Sequence, residues 1–84
     1  MSETDEFLIK IRQAFKDSFD ADPHLIAIDT TPGDIPAWDS IGHLSLAANL
    51  EQVFGITLDV DELMAMENVR AMVGVISANL ARKV

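Results

Sequence analysis

Apolar residues at the start of the chain follow a helical spacing. Between residues 4 and 17 they recur every three or four positions, with charged and amide side chains between them. These apolar positions are Phe7, Leu8, Ile11, Ala14 and Phe15, and Phe19 extends the series. The pattern predicts an amphipathic helix that packs its apolar face against a core.

A second helix is predicted from Ser40 to about Phe54. Gly55 follows it and is well suited to the left-handed turn that ends many helices. The helix carries apolar residues on two sides. Leu46, Ala47, Leu50, Val53 and Phe54 form one face, whereas Ile41, Leu44 and Ala48 lie on roughly the opposite face. The first face is the expected core face. The second is either covered by the loop that precedes the helix or exposed as a small docking surface.

Two further helices are predicted near the end of the chain. Asp59 can cap a short helical turn that carries Leu63 and Met66 inward. A last helix is expected from about Asn68 to Lys83, because one apolar stripe runs along it. The members of this stripe are Val69, Met72, Val73, Ile76 and Leu80.

The stretch from residue 20 to 39 is predicted to be a long loop. It holds three prolines, a glycine and many Asp and Thr residues, which a helix does not accommodate. Its apolar residues are expected to fasten it to the core: Leu25, Ile26, Ile28, Ile35 and Trp38. The predicted fold is an all-α four-helix bundle of residues 1–84, a single domain with three long helices, one short helix and a long first loop.

The core of this bundle is expected to draw on all four helices. The predicted core residues are Phe7, Ile11, Phe15, Leu46, Leu50, Phe54, Leu63, Val69, Val73 and Ile76.

Composition narrows the class of partner. The chain of 84 residues has a formal net charge of −8, and it contains no Lys or Arg between Lys16 and Arg70. Such a surface repels nucleic acids and anionic membranes and attracts proteins with basic patches. The absence of cysteine and the polar, acidic N-terminal residues favour a cytoplasmic location without a secretory signal or membrane insertion.

Ser40 is the candidate for chemistry, because it lies at the start of a helix next to Asp39. The pair has a purely structural interpretation as a helix cap. A nucleophilic serine would need a base such as His43, but the chain has no G-x-S-x-G elbow and no glycine-rich donor loop. Two histidines and no cysteine also make a metal site improbable. A phosphate ester at the first turn of a helix would be stabilised by the helix dipole, which favours Ser40 as a site modified by another enzyme.

The segment WDSIGHLSLAANLEQVFGITLDVDEL resembles the acyl carrier proteins, over about residues 5–80. Their hallmark is Asp-Ser-Leu at the start of the second helix, and Asp39, Ser40 and Ile41 match it with Ile in place of Leu. The resemblance implies that a phosphopantetheinyl transferase attaches 4′-phosphopantetheine from coenzyme A to Ser40, which Asp39 flanks. The arm would then hold acyl groups as thioesters, or aminoacyl groups in related carriers.

The resemblance also implies docking of partner enzymes on the second helix. Apolar contacts are expected at Ile41, Leu44 and Ala48. Acidic residues are expected to meet basic residues of the partner, and these are Glu51, Asp61 and Glu62.

The sequence departs from housekeeping fatty-acid carriers in the exposed part of the second helix. Gly42, Ser45, Gln52 and Val53 stand where carboxylates are common. Gly42 is also expected to loosen the first turn of the helix, since glycine costs about 1 kcal/mol relative to alanine there.

The prediction is a freestanding, monomeric acyl carrier without catalytic residues or metal. It would serve enzymes of fatty-acid, lipid or specialised acyl metabolism. The alternatives are an aminoacyl or D-alanyl type of carrier, an unmodified acidic adaptor that binds through Ile41 and Leu44, and a small hydrolase that uses Ser40 and His43.

Overall fold

The described part of the chain folds into four α-helices and two short 3₁₀ turns. The computed structural model describes the backbone of residues 3–83 and the side chains of residues 5–82. The helices are α1 (Glu3–Phe19), α2 (Ser40–Phe54), α3 (Val60–Ala65) and α4 (Val69–Lys83), and the described range contains no strand. The predicted all-α fold with three long helices and one short helix is confirmed. Met1, Ser2 and Val84 of the predicted single domain lie outside the described residues.

The ends of the helices follow local sequence signals. Asp39 caps α2, because its carboxylate Oδ1 accepts a hydrogen bond from the backbone N–H of Gly42 at 2.7 Å. Gly55 ends the helix in the left-handed region with φ 65°. At α3, Asp59 and Glu62 form a capping box in which each side chain accepts from the other's backbone N–H. The predicted cap residues of α2 and α3 are therefore confirmed.

The core lies where α1, α2 and α4 turn their apolar stripes toward one another. Of the predicted core residues, those that are buried are Ile11, Phe15, Leu46, Leu50, Phe54, Val69 and Ile76, and those that lie half-buried at its edge are Phe7, Leu63 and Val73. Met66 and Met72 are also buried. None of the described helices is long and apolar enough to cross a membrane.

The loop between α1 and α2 is fastened by side chains that the sequence identifies only in part. It contains two 3₁₀ turns, at residues 23–25 and 32–34. Ile26, Ile35 and Trp38 are buried as predicted, and Ile28 is half-buried. The prediction for Leu25 is wrong, since its side chain is 64% exposed. The 3₁₀ turn directs its last residue outward and the next residue, Ile26, into the core.

Hydrogen bonds to main-chain atoms also hold this loop in place. From α1, the Arg12 Nε–H donates to the carbonyl oxygen of Ile26 at 2.9 Å. At the start of α4, the N–H of Val69 donates to the carbonyl oxygen of Thr30 at 3.1 Å. The Thr30 hydroxyl closes a turn within the loop by accepting from the N–H of Ala27 at 2.8 Å. The loop is therefore bound to α1 and to α4.

Gly42 has a packing role that the sequence did not reveal. A Cβ at this position would overlap the carbonyl oxygen of Ala37 and come within 2.9 Å of Cε1 of Phe19. The glycine thus lets the loop backbone and α1 approach the first turn of α2 closely. That Gly42 loosens this turn stays a prediction, and the structure adds that the absent side chain makes room for tertiary contacts.

Candidate functional site at Ser40

Ser40 is the first residue of α2 and its side chain is exposed. The residue before it, Asp39, supplies the cap, so the serine hydroxyl is not needed to satisfy the helix end. The loop backbone at Ala37 also packs closely against this first turn at Gly42. This arrangement presents a hydroxyl to solvent on a rigid support, at the positive end of a helix of 15 residues.

An open groove of about 660 Å³ begins beside Ser40. The loop contributes Trp38 to its wall, α2 contributes Leu44, and α3 contributes Leu63 and Met64. These four side chains make much of the groove apolar. Because the groove adjoins Ser40 and is lined largely by apolar side chains, it can hold an apolar group that is attached to the serine.

The outward face of α2 is not covered by the loop. Ile41 is 79% exposed and Leu44 is 59% exposed, and Ala48 is exposed one turn further along. On α3, Met64 is 71% exposed beside the same groove. We call Ile41, Leu44 and Met64 the apolar rim. Of the two alternatives for this face, coverage by the loop is wrong and exposure is what the structure has.

Two of the carboxylates predicted to meet partner proteins are used within the chain. Glu51 is half-buried, and its Oε2 accepts a hydrogen bond from the backbone N–H of Leu58 at 2.8 Å. Glu62 is also used within the chain, since its carboxylate accepts hydrogen bonds from two side chains of α4. Asp61, between them in the predicted set, is exposed. Asp61 is therefore the member of the set whose carboxylate is best placed to reach another protein.

Glu62 connects α3 to the end of α4. Its Oε2 accepts hydrogen bonds from Asn79 Nδ2 at 2.9 Å and from the Arg82 guanidinium at 2.7 Å, and its side chain is 15% exposed. The hydrogen bond from Asn79 is the main reason that the pKa of the Glu62 carboxyl is lowered, with burial acting in the opposite direction. The lowered pKa keeps the Glu62 carboxylate ionised to a more acidic pH than an ordinary glutamate.

His43 does not offer a ring nitrogen to Ser40. The Trp38 indole N–H donates to Nδ1 of His43 at 2.8 Å, and Nε2 lies 2.8 Å from the carbonyl oxygen of Leu63. Both nitrogens are therefore bonded elsewhere, and the geometry lacks the serine–histidine pair that a hydrolase would need. Among the described residues, no group of His and acidic side chains is arranged to hold a metal ion.

Sequence reasoning missed the contacts of His43 and the exposure of Met64. Met64 lies four residues after Val60, which is 69% exposed, so a helical projection of α3 places both on one outward face. The contacts of His43 had no such signal. Its partners are five and 20 residues away along the chain and meet only in the folded structure.

Comparison with known proteins gives a match to a family model and matches to solved structures. A family model described as the phosphopantetheine attachment site matches residues 9–76. The solution NMR structure of a holo acyl carrier protein from Geobacter metallireducens is similar to this chain with a TM-score of 0.78 and 32% sequence identity, over 92% of this chain and 88% of that chain. No curated protein matches the chain significantly.

Proposed function

Since the chain belongs to the family of phosphopantetheine-dependent acyl carrier proteins, we propose that Ser40 is the residue that bears its prosthetic arm. The covalently attached 4′-phosphopantetheine supplies a terminal thiol that holds acyl groups as thioesters. Proteins of this type are carriers rather than enzymes. They interact with phosphopantetheinyl transferase and with acyl-handling enzymes.

The exposure of Ser40 at the start of α2 is the observation that carries this proposal. A phosphate diester on this hydroxyl would lie at the positive end of the α2 dipole, where negative charge is favoured. The Asp39 carboxylate caps the helix, with its Oδ1 accepting from the N–H of Gly42. The adjacent groove has the apolar lining that suits a pantetheine arm and its acyl group. The residues present therefore fit the group.

We assign partner docking to the apolar rim and to Ala48 on the same helix. Exposed apolar side chains next to a reacting group provide contact area for the enzymes that must reach it. Of the acidic residues in the predicted docking set, Asp61 is assigned the direct electrostatic role. Glu51 and Glu62 act mainly by fixing the segments that flank α3.

A specialised acyl pathway is favoured over service to a housekeeping fatty-acid synthase. The outward positions of α2 include Ser45, Ala48 and Gln52, all exposed and uncharged, and Glu51 is bonded to the backbone of Leu58. A partner that relies on basic residues along this helix would find few carboxylates there. Slow malonyl loading and chain elongation on this protein are therefore expected, and rapid elongation would contradict this part of the proposal.

Mass spectrometry after co-expression with a phosphopantetheinyl transferase of broad specificity tests the attachment site. The wild-type chain should gain one phosphopantetheine unit, and Ser40→Ala should gain none. Ser45→Ala is the matched control, because Ser45 is also exposed on α2 and its removal should leave the modification intact.

The alternatives give different results in the same experiment. An unmodified adaptor would keep its apo mass in every variant. An aminoacyl or D-alanyl type of carrier would gain the arm but would be recovered from its host with an amino acid as cargo. Attachment that survives in Ser40→Ala would show that Ser40 is not the site.

A further inference from the structure

His43 joins the two walls of the groove. One ring nitrogen accepts from the indole N–H of Trp38 in the loop, and the other contacts the carbonyl oxygen of Leu63 in α3, both at 2.8 Å. Trp38, His43 and Leu63 all line the groove beside Ser40. We call this chain of two hydrogen bonds the His43 bridge.

The hydrogen bonds fix the protonation of the imidazole ring. An indole nitrogen is a donor only, so Nδ1 of His43 must accept and carries no proton. In a neutral ring the proton then lies on Nε2, from which it is donated to the carbonyl oxygen of Leu63. The bridge therefore requires the neutral Nε2–H tautomer.

The two ends of the bridge differ in how firmly the fold holds them. Trp38 is buried, and its ring packs edge-on against Phe15 of the core with centroids 5.1 Å apart. Leu63 lies in the last turn of α3, a helix of six residues that packs its backbone most closely on α4. The carbonyl oxygen of Leu63 also accepts a long hydrogen bond, at 3.4 Å, from the N–H of Met66, the residue that ends α3. His43 thus connects a fixed loop wall to the last turn of a short helix.

We infer that His43 is a positioning residue that sets the separation of the Trp38 and Leu63 walls of the groove beside Ser40. The part of this inference that concerns cargo rests on the proposed function. With the bridge intact, the groove shelters the acyl group and its bond to the arm from water. Without the bridge, the end of α3 moves away and the shelter is lost.

Protonation of His43 separates the two hydrogen bonds. The doubly protonated ring carries N–H groups on both nitrogens, so it still donates to Leu63 but can no longer accept from Trp38. The charged groups that line the groove with His43 are Asp39 and Glu67, both acidic, and no Lys or Arg lines it. Acid should therefore break the loop side of the bridge first.

NMR of the apo protein tests the bridge without any prosthetic group. The variants are His43→Leu, which removes both hydrogen bonds, and His43→Gln, which keeps an acceptor and a donor in one side chain. Asn49→Leu is the matched control, since Asn49 is half-buried on α2 and bonds Ser18 of α1 at 2.7 Å, away from the groove. His43→Leu should shift the indole N–H resonance of Trp38, the single tryptophan, and speed amide exchange in α3 about tenfold. His43→Gln should largely restore both, and Asn49→Leu should change neither.

A pH titration of the wild-type chain covers the case in which His43→Leu does not fold. The Trp38 indole N–H resonance should move together with the His43 ring resonances as the ring is protonated. A tryptophan signal that ignores the protonation of His43 would overturn the bridge.

Thioester lifetime tests the consequence for cargo. A phosphopantetheinyl transferase loads the apo protein with octanoyl-phosphopantetheine from octanoyl-coenzyme A, so that a phosphodiester forms at Ser40 and adenosine 3′,5′-bisphosphate leaves. Hydrolysis of the thioester is then followed by intact mass. His43→Leu should shorten the lifetime about tenfold, with recovery in His43→Gln and no effect of Asn49→Leu. If all variants load and hydrolyse equally, the inference fails and the proposed function stands. If the wild-type chain cannot be loaded, the proposed function fails, and the exchange rates in α3 still decide whether His43 positions that helix.

Discussion

Helix α2 carries leucines on two opposite faces, and their environments differ sharply. Leu46 and Leu50 are fully buried between the helices, whereas Leu44 is 59% exposed beside the groove. The two faces have the same chemistry, so hydrophobicity alone does not say what a residue contributes. The inward face supplies the free energy of folding. The outward face remains exposed next to the serine, where partner proteins can bury it.

The same substitution on the two faces should give the largest difference. Leu46→Ala should lower the free energy of unfolding by about 2–5 kcal/mol, because it leaves a cavity in the core. Leu44→Ala should change it by about 0.5 kcal/mol or less. Urea denaturation followed by circular dichroism measures both. Similar losses in the two variants would mean that the outward face is part of the core.

The first turn of α2 packs closely against the loop and α1 at Gly42. Gly42→Ala places a methyl group against the carbonyl of Ala37 and should cost about 1–3 kcal/mol of stability. Gly74→Ala is the control, since nothing lies within 4 Å of the added Cβ in α4, and it should stabilise the protein by about 0.5–1 kcal/mol. The melting temperatures of the two variants should thus move in opposite directions. A stabilised Gly42→Ala variant would show that the loop does not press on this turn.

Glu62 connects α3 to α4 through Asn79 and Arg82, and its contribution to stability should depend on pH. Folding lowers the pKa of the Glu62 carboxyl. The ionised carboxylate therefore stabilises the fold at pH values above the pKa that the same carboxyl has in the unfolded chain. This stabilisation is lost as the pH falls through the lowered pKa of the folded state. Glu62→Gln should therefore be less stable than wild type at neutral pH, by less than the loss in Gly42→Ala, and the difference should fade in acid. Thermal melts from neutral to acidic pH measure this, with Asp61→Asn as the control that leaves the link to Arg82 in place.

The smallest effect is expected from removing the exposed charge of Asp61 on α3. Asp61→Asn should slow modification by a phosphopantetheinyl transferase about twofold at low salt, because one long-range attraction is lost. The effect should vanish at high salt, where exposed charges are screened. Leu44→Ala should also slow this modification, because it removes exposed apolar contact area, and its effect should persist at high salt. If Asp61→Asn has the larger effect at every salt concentration, partner docking is mainly electrostatic.

The features that the sequence predicted correctly are local ones. Helical spacing and the caps at Asp39 and Gly55 act within a few residues, so they indicate the helices and place Ser40 at the start of α2. The role of Gly42 and the partners of His43 depend on segments that meet only after folding. Leu25 shows the same limit, because adjacent apolar residues in a loop give no periodic signal for which of them is buried.

The long loop is held through its main chain as well as its side chains. Arg12 and Val69 reach it from α1 and α4 and bind carbonyl oxygens, which every amino acid possesses. Replacing the side chains of Ile26 or Thr30 leaves those acceptors in the chain. Side-chain substitutions at exposed loop positions should therefore leave the hydrogen bonds that join the loop to α1 and α4 in place.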